Sequence, residues 1–133
     1  EAGGIYIDLR ALSGEYQIPI WTASQTNRSA IDSDIIQADK IADSYAKVMN
    51  ADFIISVSRK DTDKLNNTAR FHIMKNRFGQ DGMTFPSKMD TNKGIIEVYA
   101  SNSSNGVIAS KEARNGEVIQ RQLLAKKYVE NMG

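Results

Sequence analysis

Apolar and polar positions follow two periods along this chain. Ile5, Leu9, Leu12 and Tyr16 recur at helical spacing and predict an amphipathic helix. Residues 18–23 are apolar and end in polar residues, the pattern of a buried strand of the parallel-sheet type. Residues 26–37 mix Asn, Arg, Ser and Asp and predict a long polar loop. Ile41, Tyr45, Val48 and Met49 restore helical spacing, and Asn50 is a fitting helix stop. DFIISVS at 52–58 predicts a second strand, and residues 59–68 a charged loop. Residues 69–77 predict a strand, FGQDG at 78–82 a turn, and residues 83–89 the returning strand. Pro86 makes that strand an edge or a bulged one. IIEVYA at 95–100 is the last strand.

SNSSNG at 101–106 has the composition of a linker. From about Ala113 the positions of Val118, Leu123, Leu124 and Tyr128 predict a short amphipathic helix or a half-ordered arm. The order of elements predicts the C-terminal half of a mainly parallel α/β sheet with flanking helices and an antiparallel edge. Residues 1–100 form its body and residues 101–133 a linker and tail helix.

Composition narrows the class. The 133 residues suffice for one ordinary domain. No apolar run approaches the roughly 20 residues of a membrane span, and no basic segment followed by an apolar core marks a secretory signal. The absence of Cys excludes disulfides and Cys-based zinc sites and fits a reducing cytoplasm. A single His excludes a His-rich metal site within the chain, so no metal ligand is assigned. Seventeen basic against 16 acidic residues give a net charge of +1, less than a free-standing DNA-binding domain carries. Glu1 in place of an initiator Met is what a piece of a longer protein would show.

Three features carry candidate chemistry. Phe71, Ile73, Lys75 and Arg77 occupy alternate positions, so a strand points two apolar residues and then two cations to one face. Lys75 and Arg77 then lie roughly 7 Å apart, a spacing suited to the oxygens of one phosphate. A cation so placed stabilises charge developing on a transferred phosphoryl group, and the alternative is two solvated charges ending an exposed strand. Gln25 follows the apolar run at 18–23, at the polar end of that strand, where open α/β sheets bind ligands, and its neutral amide suits a terminal phosphate or an attacking water. The alternative is a loop glutamine held by solvent. Arg28 and Lys40 bracket the polar loop and suit a phosphate backbone, with a plain surface loop as the alternative. No GxSxG or GxxxxGK[ST] motif is present.

LRALSGEYQIPIWTASQTNRSA at 9–30, DKIADS at 39–44, NADFIISVSR at 50–59 and MKNRFG at 74–79 stand in an order and at gaps that resemble a known family. The chain resembles, from about residue 9 to 100, the C-terminal part of the RecA-like motor domain of DnaB-family replicative DNA helicases. The likeness is strongest to those of T-even-type phages. The resemblance implies a partial RecA-like P-loop NTPase fold and an ATP-dependent helicase. In this family a hexameric ring of identical subunits translocates on single-stranded DNA at the replication fork.

It implies that Gln25 senses the γ-phosphate, and that Lys75 and Arg77 are the lysine and arginine finger reaching the neighbouring subunit's ATP site. It implies DNA contacts by the segment holding Asp43 and Ser44. Ala42 stands where many bacterial relatives carry an arginine, which leaves Lys40 as the basic residue there. ATP and Mg2+ belong to the intact protein, since the P-loop and the metal-binding Asp are not in this sequence. The fragment by itself is then expected to be inactive. The expected location is the cytoplasm, that of the bacterial host for a phage-encoded protein. For the tail the resemblance leaves a primase, a helicase loader or no partner. Two other classes stay open: a non-enzymatic RecA-like module that binds nucleic acid or protein, and a RecA- or KaiC-like regulatory ATPase.

Overall fold

The computed structural model describes residues 2–26, 34–37 and 44–132. The element order is α1 (Ala2–Tyr16), α2 (Ser44–Asn50), β1 (Phe53–Ser58), α3 (Asp61–Asn66), β2 (Thr68–Asn76), β3 (Thr84–Asp90), β4 (Ile95–Val98) and α4 (Ser104–Met132). The fold is α/β, with one four-stranded sheet in the order β1-β2-β3-β4.

The sheet is antiparallel, which corrects the mainly parallel arrangement expected from the sequence. Two reasons are visible. Residues 18–25 form no strand, so the expected parallel partner of β1 does not exist. The connections at 59–67, 77–83 and 91–94 are also shorter than the dozen or more residues that a parallel crossover needs. Arg77 N donates to Asp52 O at 2.9 Å, joining the end of β2 to the start of β1, and Ile73 N within β2 donates to Met83 O, just before β3, at 2.9 Å. In the β3–β4 pair Ser87 faces Val98 and Asp90 faces Ile95.

Pro86 lies in an inner strand, not at the edge that its missing N–H led us to expect. Its carbonyl accepts from Tyr99 N at 2.9 Å, so its nitrogen points to the same side, where β4 has already ended at Val98. The return bond that an N–H would give to Tyr99 is therefore missing, at the very end of the β3–β4 pairing.

The chain divides into two units, Glu1–Ser56 with His72–Met83 and Val57–Phe71 with Thr84–Gly133. In the first, α1 is a helix as its spacing predicts, but it rests on a different face. Tyr6, Leu9 and Ser13 are half-buried, whereas Ile5, Leu12 and Tyr16 are exposed. The Tyr6 ring lies 5.5 Å from Lys47 Nζ of α2, a cation–π contact. Gln17 ends α1 at φ 53°, and the Ser13 hydroxyl donates to Ile18 O at 2.6 Å. Trp21 is 76% exposed and touches the Phe53 ring edge-on at 6.2 Å. The Ser56 hydroxyl donates to the carbonyl of buried Ile36 at 2.9 Å. His72 is buried.

In the second unit residues 61–66 are helical where a loop was expected. The buried Asp63 carboxylate organises this helix. It accepts from Lys60 N at 2.7 Å, from the Thr68 hydroxyl at 2.7 Å, and from both terminal nitrogens of Arg70 at 2.9 and 2.7 Å. Asn67 closes the helix in the left-handed conformation at φ 54°.

The composition-based linker at 101–106 runs into a single long helix, of which residues 104–106 are the start. The Ser103 hydroxyl accepts from Gly106 N at 3.0 Å and so caps α4. Gly106, Ala109 and Gly116 are its buried residues, a seam of small side chains that admits close packing. A Cβ on Gly116 would lie 2.5 Å from the Thr62 carbonyl oxygen, so α3 and α4 meet backbone to backbone. Asn66 Nδ2 donates to Glu112 O at 2.6 Å, and Lys60 pairs with Glu117 at 3.1 Å. From Arg121 onward every described residue of α4 is exposed, Leu123, Leu124, Tyr128 and Val129 included. Among the described residues no helix is long and apolar enough to cross a membrane.

Three substitutions test this packing. Alanine is favoured over glycine inside a helix by about 0.5–1 kcal/mol, and Gly14, with open space around it, should gain that much stability on Gly14→Ala. Gly116→Ala should instead lose about 1–3 kcal/mol in urea unfolding, because its methyl meets the Thr62 carbonyl.

The third concerns Asp63. Burial pushes its carboxyl up, but the bonds from Arg70, Thr68 and Lys60 N outweigh burial and hold it below the ordinary 3.8. A depressed carboxylate stabilises the fold above its unfolded pKa, and that contribution disappears as pH falls through the folded value. Asp63→Asn should therefore be clearly less stable than wild type at pH 7, with the gap closing below pH 3.8. Unfolding curves at a series of pH values check this.

Candidate phosphate-binding site

β2 delivers two of the predicted cations to one place in the first unit. Lys75 is the penultimate residue of the strand and Arg77 follows its end. The turn after them is fixed locally: Asn76 Oδ1 accepts from Phe78 N at 3.0 Å, and its Nδ2 donates to Gln80 O at 3.1 Å. Gly82, at φ 79°, completes the reversal, in keeping with the glycine-bearing turn predicted there. Lys75 Nζ donates to Val48 O at 2.7 Å and Arg77 Nη1 to Asp52 Oδ1. Val48 belongs to α2, so the lysine is held at the C-terminal end of that helix, where carbonyls lack helical partners.

A third cation joins them from α1. Arg10 Nη1 donates to Asn50 O at 2.9 Å and to Asp52 Oδ1 at 3.1 Å. One carboxylate oxygen therefore lies between two guanidinium groups, with a lysine beside them. The Arg10, Asp52 and Arg77 side chains are all about half-exposed, at 46, 44 and 41%.

Electrostatics follow from this crowding. The hydrogen bond from Arg10 is the chief cause holding the Asp52 carboxyl below its ordinary range, with the charges of Arg10, Arg77 and Lys75 adding to it. Burial pushes the Lys75 ammonium down, and the nearby Arg77 and Arg10 charges push the same way against Asp52. Three cations against one anion leave the cluster positive at neutral pH. Such an arrangement suits ligands that carry several negatively charged oxygens in one small group.

Sequence reasoning missed Arg10 and Asp52, which lie 42 residues apart. Arg77 pairs with Asp52 through the β1–β2 register, and Arg10 arrives by the packing of α1 against α2. The one sequence cue was the position of Asp52 directly before the β1 run.

Gln25 is exposed and stands outside any strand, with only Thr26 making an isolated bridge. Its carbonyl accepts from the Ser24 hydroxyl at 3.4 Å, and that hydroxyl accepts from Lys47 Nζ at 2.6 Å. The buried strand end expected for Gln25 is thus replaced by an exposed segment. Ser44 is the first residue of α2. Arg28, Lys40 and Asp43 lie outside the described residues. Among the described residues no group of three or more His, Cys, Asp or Glu could hold a metal ion. No protein-family model and no curated protein matches the chain.

The order of causes at Asp52 gives a test. Its carboxyl should titrate below 3.8 by carbon-detected NMR, and Arg10→Ala should raise the midpoint more than Arg77→Ala does.

Proposed function

We propose that this chain is the C-terminal part of an ATP-dependent, DnaB-type replicative DNA helicase with a RecA-like motor fold. The observation that supports the reading best is the meeting of Lys75 and Arg77 in one half-exposed cationic cluster at the end of β2. A cation donated to a neighbour's active site must be rigidly based, reachable from outside and not buried in its own subunit. β2 and the Asn76-held turn supply the base, and the exposure of Arg77 supplies the reach.

On this reading β1–β4 are the antiparallel edge of the motor sheet. ATP and Mg2+ bind on the P-loop of the adjacent subunit in a hexamer. Lys75 and Arg77 take up negative charge on the γ-phosphoryl oxygens as the bond to the leaving group breaks. Gln25, on its exposed segment, contacts the terminal phosphate and passes its presence to residues 26–44. That segment, with Arg28, Lys40, Asp43 and Ser44, moves on single-stranded DNA. The tail helix is where a primase or a helicase loader would dock. The chain works in the cytoplasm, that of the host for a phage protein.

In the intact protein Arg77→Ala should lower DNA-stimulated hydrolysis by roughly a thousandfold or more while leaving nucleotide binding mostly intact. Near-normal turnover would overturn the arginine-finger role. The second reading, a non-enzymatic module that binds nucleic acid or protein, is favoured by the exposed apolar residues on α1 and α4. For a nucleic-acid module this chain alone should bind single-stranded DNA with an affinity that falls steeply with salt.

A further inference from the structure

The Arg10–Asp52–Arg77 arrangement is unusual for a structural ion pair. A single oxygen, Asp52 Oδ1, receives Nη1 of both arginines, although each guanidinium has a full fork of donors to offer. The three side chains remain 41–46% exposed, so water and solutes reach them. Solvent screens exposed ion pairs of this kind, so the carboxylate is held weakly. The backbone beneath it is held firmly: Arg77 N donates to Asp52 O at 2.9 Å, and Arg10 keeps a second anchor on Asn50 O. The side chain of Asp52 can therefore leave while the backbone on either side and the Arg10 guanidinium, anchored on Asn50 O, stay in place.

We infer that Asp52 is a resident counter-ion occupying a phosphoryl-oxygen site made by Arg10 and Arg77, and that an incoming phosphate group displaces it. Arg10 becomes a ligand of the phosphate alongside Arg77, and Lys75, based on Val48 O, adds its charge from the side. A terminal phosphate brings two negative charges and three oxygens to donors that Asp52 serves with one charge, so it wins the exchange. Until then Arg77 is parked on a carboxylate of its own chain. The identity of that phosphate as the terminal one of a nucleoside triphosphate rests on the helicase reading; the site itself does not.

The test uses the chain as it stands, with inorganic tripolyphosphate and a dodecathymidylate as probes in calorimetric titrations. Asp52→Asn should tighten tripolyphosphate binding about five- to tenfold, as expected from removing two weak competing pairs. Arg10→Ala should weaken it by a similar factor and should erase the gain when combined with Asp52→Asn. In the wild-type chain, saturation with tripolyphosphate should return the Asp52 carboxyl midpoint toward 3.8, a readout that needs no variant to fold.

An Asp52→Asn affinity within twofold of wild type, or a midpoint that tripolyphosphate does not move, overturns the displacement. A gain confined to dodecathymidylate assigns the site to the phosphodiester backbone and overturns a terminal-phosphate site. These results are independent of hydrolysis. Displacement as expected together with normal turnover of Arg77→Ala keeps this site and removes the helicase role, and lost turnover without displacement does the reverse.

Discussion

The Asp63 carboxylate is the interaction on which the second unit is organised. Four hydrogen bonds converge on a group that is almost wholly removed from water, and two come from the fork of Arg70. A buried carboxylate without such partners would be costly, and removing one member of a buried pair typically costs about 3–5 kcal/mol. The bonds also set geometry. The bond to Lys60 N starts α3, and those to Thr68 and Arg70 bind the helix to the first residues of β2. The chain thereby reverses within residues 59–67, which is why β1 and β2 run antiparallel. Thr62 is placed in the same turn, and its carbonyl is the surface against which Gly116 of α4 rests.

The extent to which the sequence announced this structure varies with the range of the forces involved. α1, α2, β1, β2 and β3 lie close to where spacing predicted them, because their signals are local. The apolar run at 18–23 misled, since an apolar hexad reads as a buried strand but pairs with nothing here. DTDKLN has little apolar periodicity, and its helix is fixed by Arg70, a residue beyond it in the chain. Gly106 reads as part of a linker, yet it and Gly116 are seats where backbones approach too closely for any side chain. The cluster was half legible for the same reason. Lys75 and Arg77 follow from alternation along one strand, whereas Arg10 and Asp52 join them only through tertiary packing.

Among the described residues, most of the fully buried side chains are polar. Ser56, Ser58, Thr62, Asp63, Thr68, His72, Ser87 and Asp90 are buried, against Ile36, Ala69 and Ala109 among the fully buried apolar side chains described. Specific hydrogen bonds, such as Ser87 to Ala69 O at 2.8 Å, take the place of bulk burial. They are directional, so each residue has one acceptable position. Large apolar side chains meanwhile remain on the surface at Ile5, Tyr16, Trp21, Phe78, Tyr128 and Met132.

The continuity of α4 has a mechanical meaning. The helix is seated at Gly106, Ala109 and Gly116, and then runs to Met132 without a break. At 1.5 Å of rise per residue the helix extends about 24 Å past Gly116. A tilt of about 10° at the seat, well within what a helix can transmit as a stiff rod, sweeps the far end through about 4 Å. A displacement too small to break one contact under Gly116 thus arrives at Tyr128 and Met132 as a movement the size of a side chain.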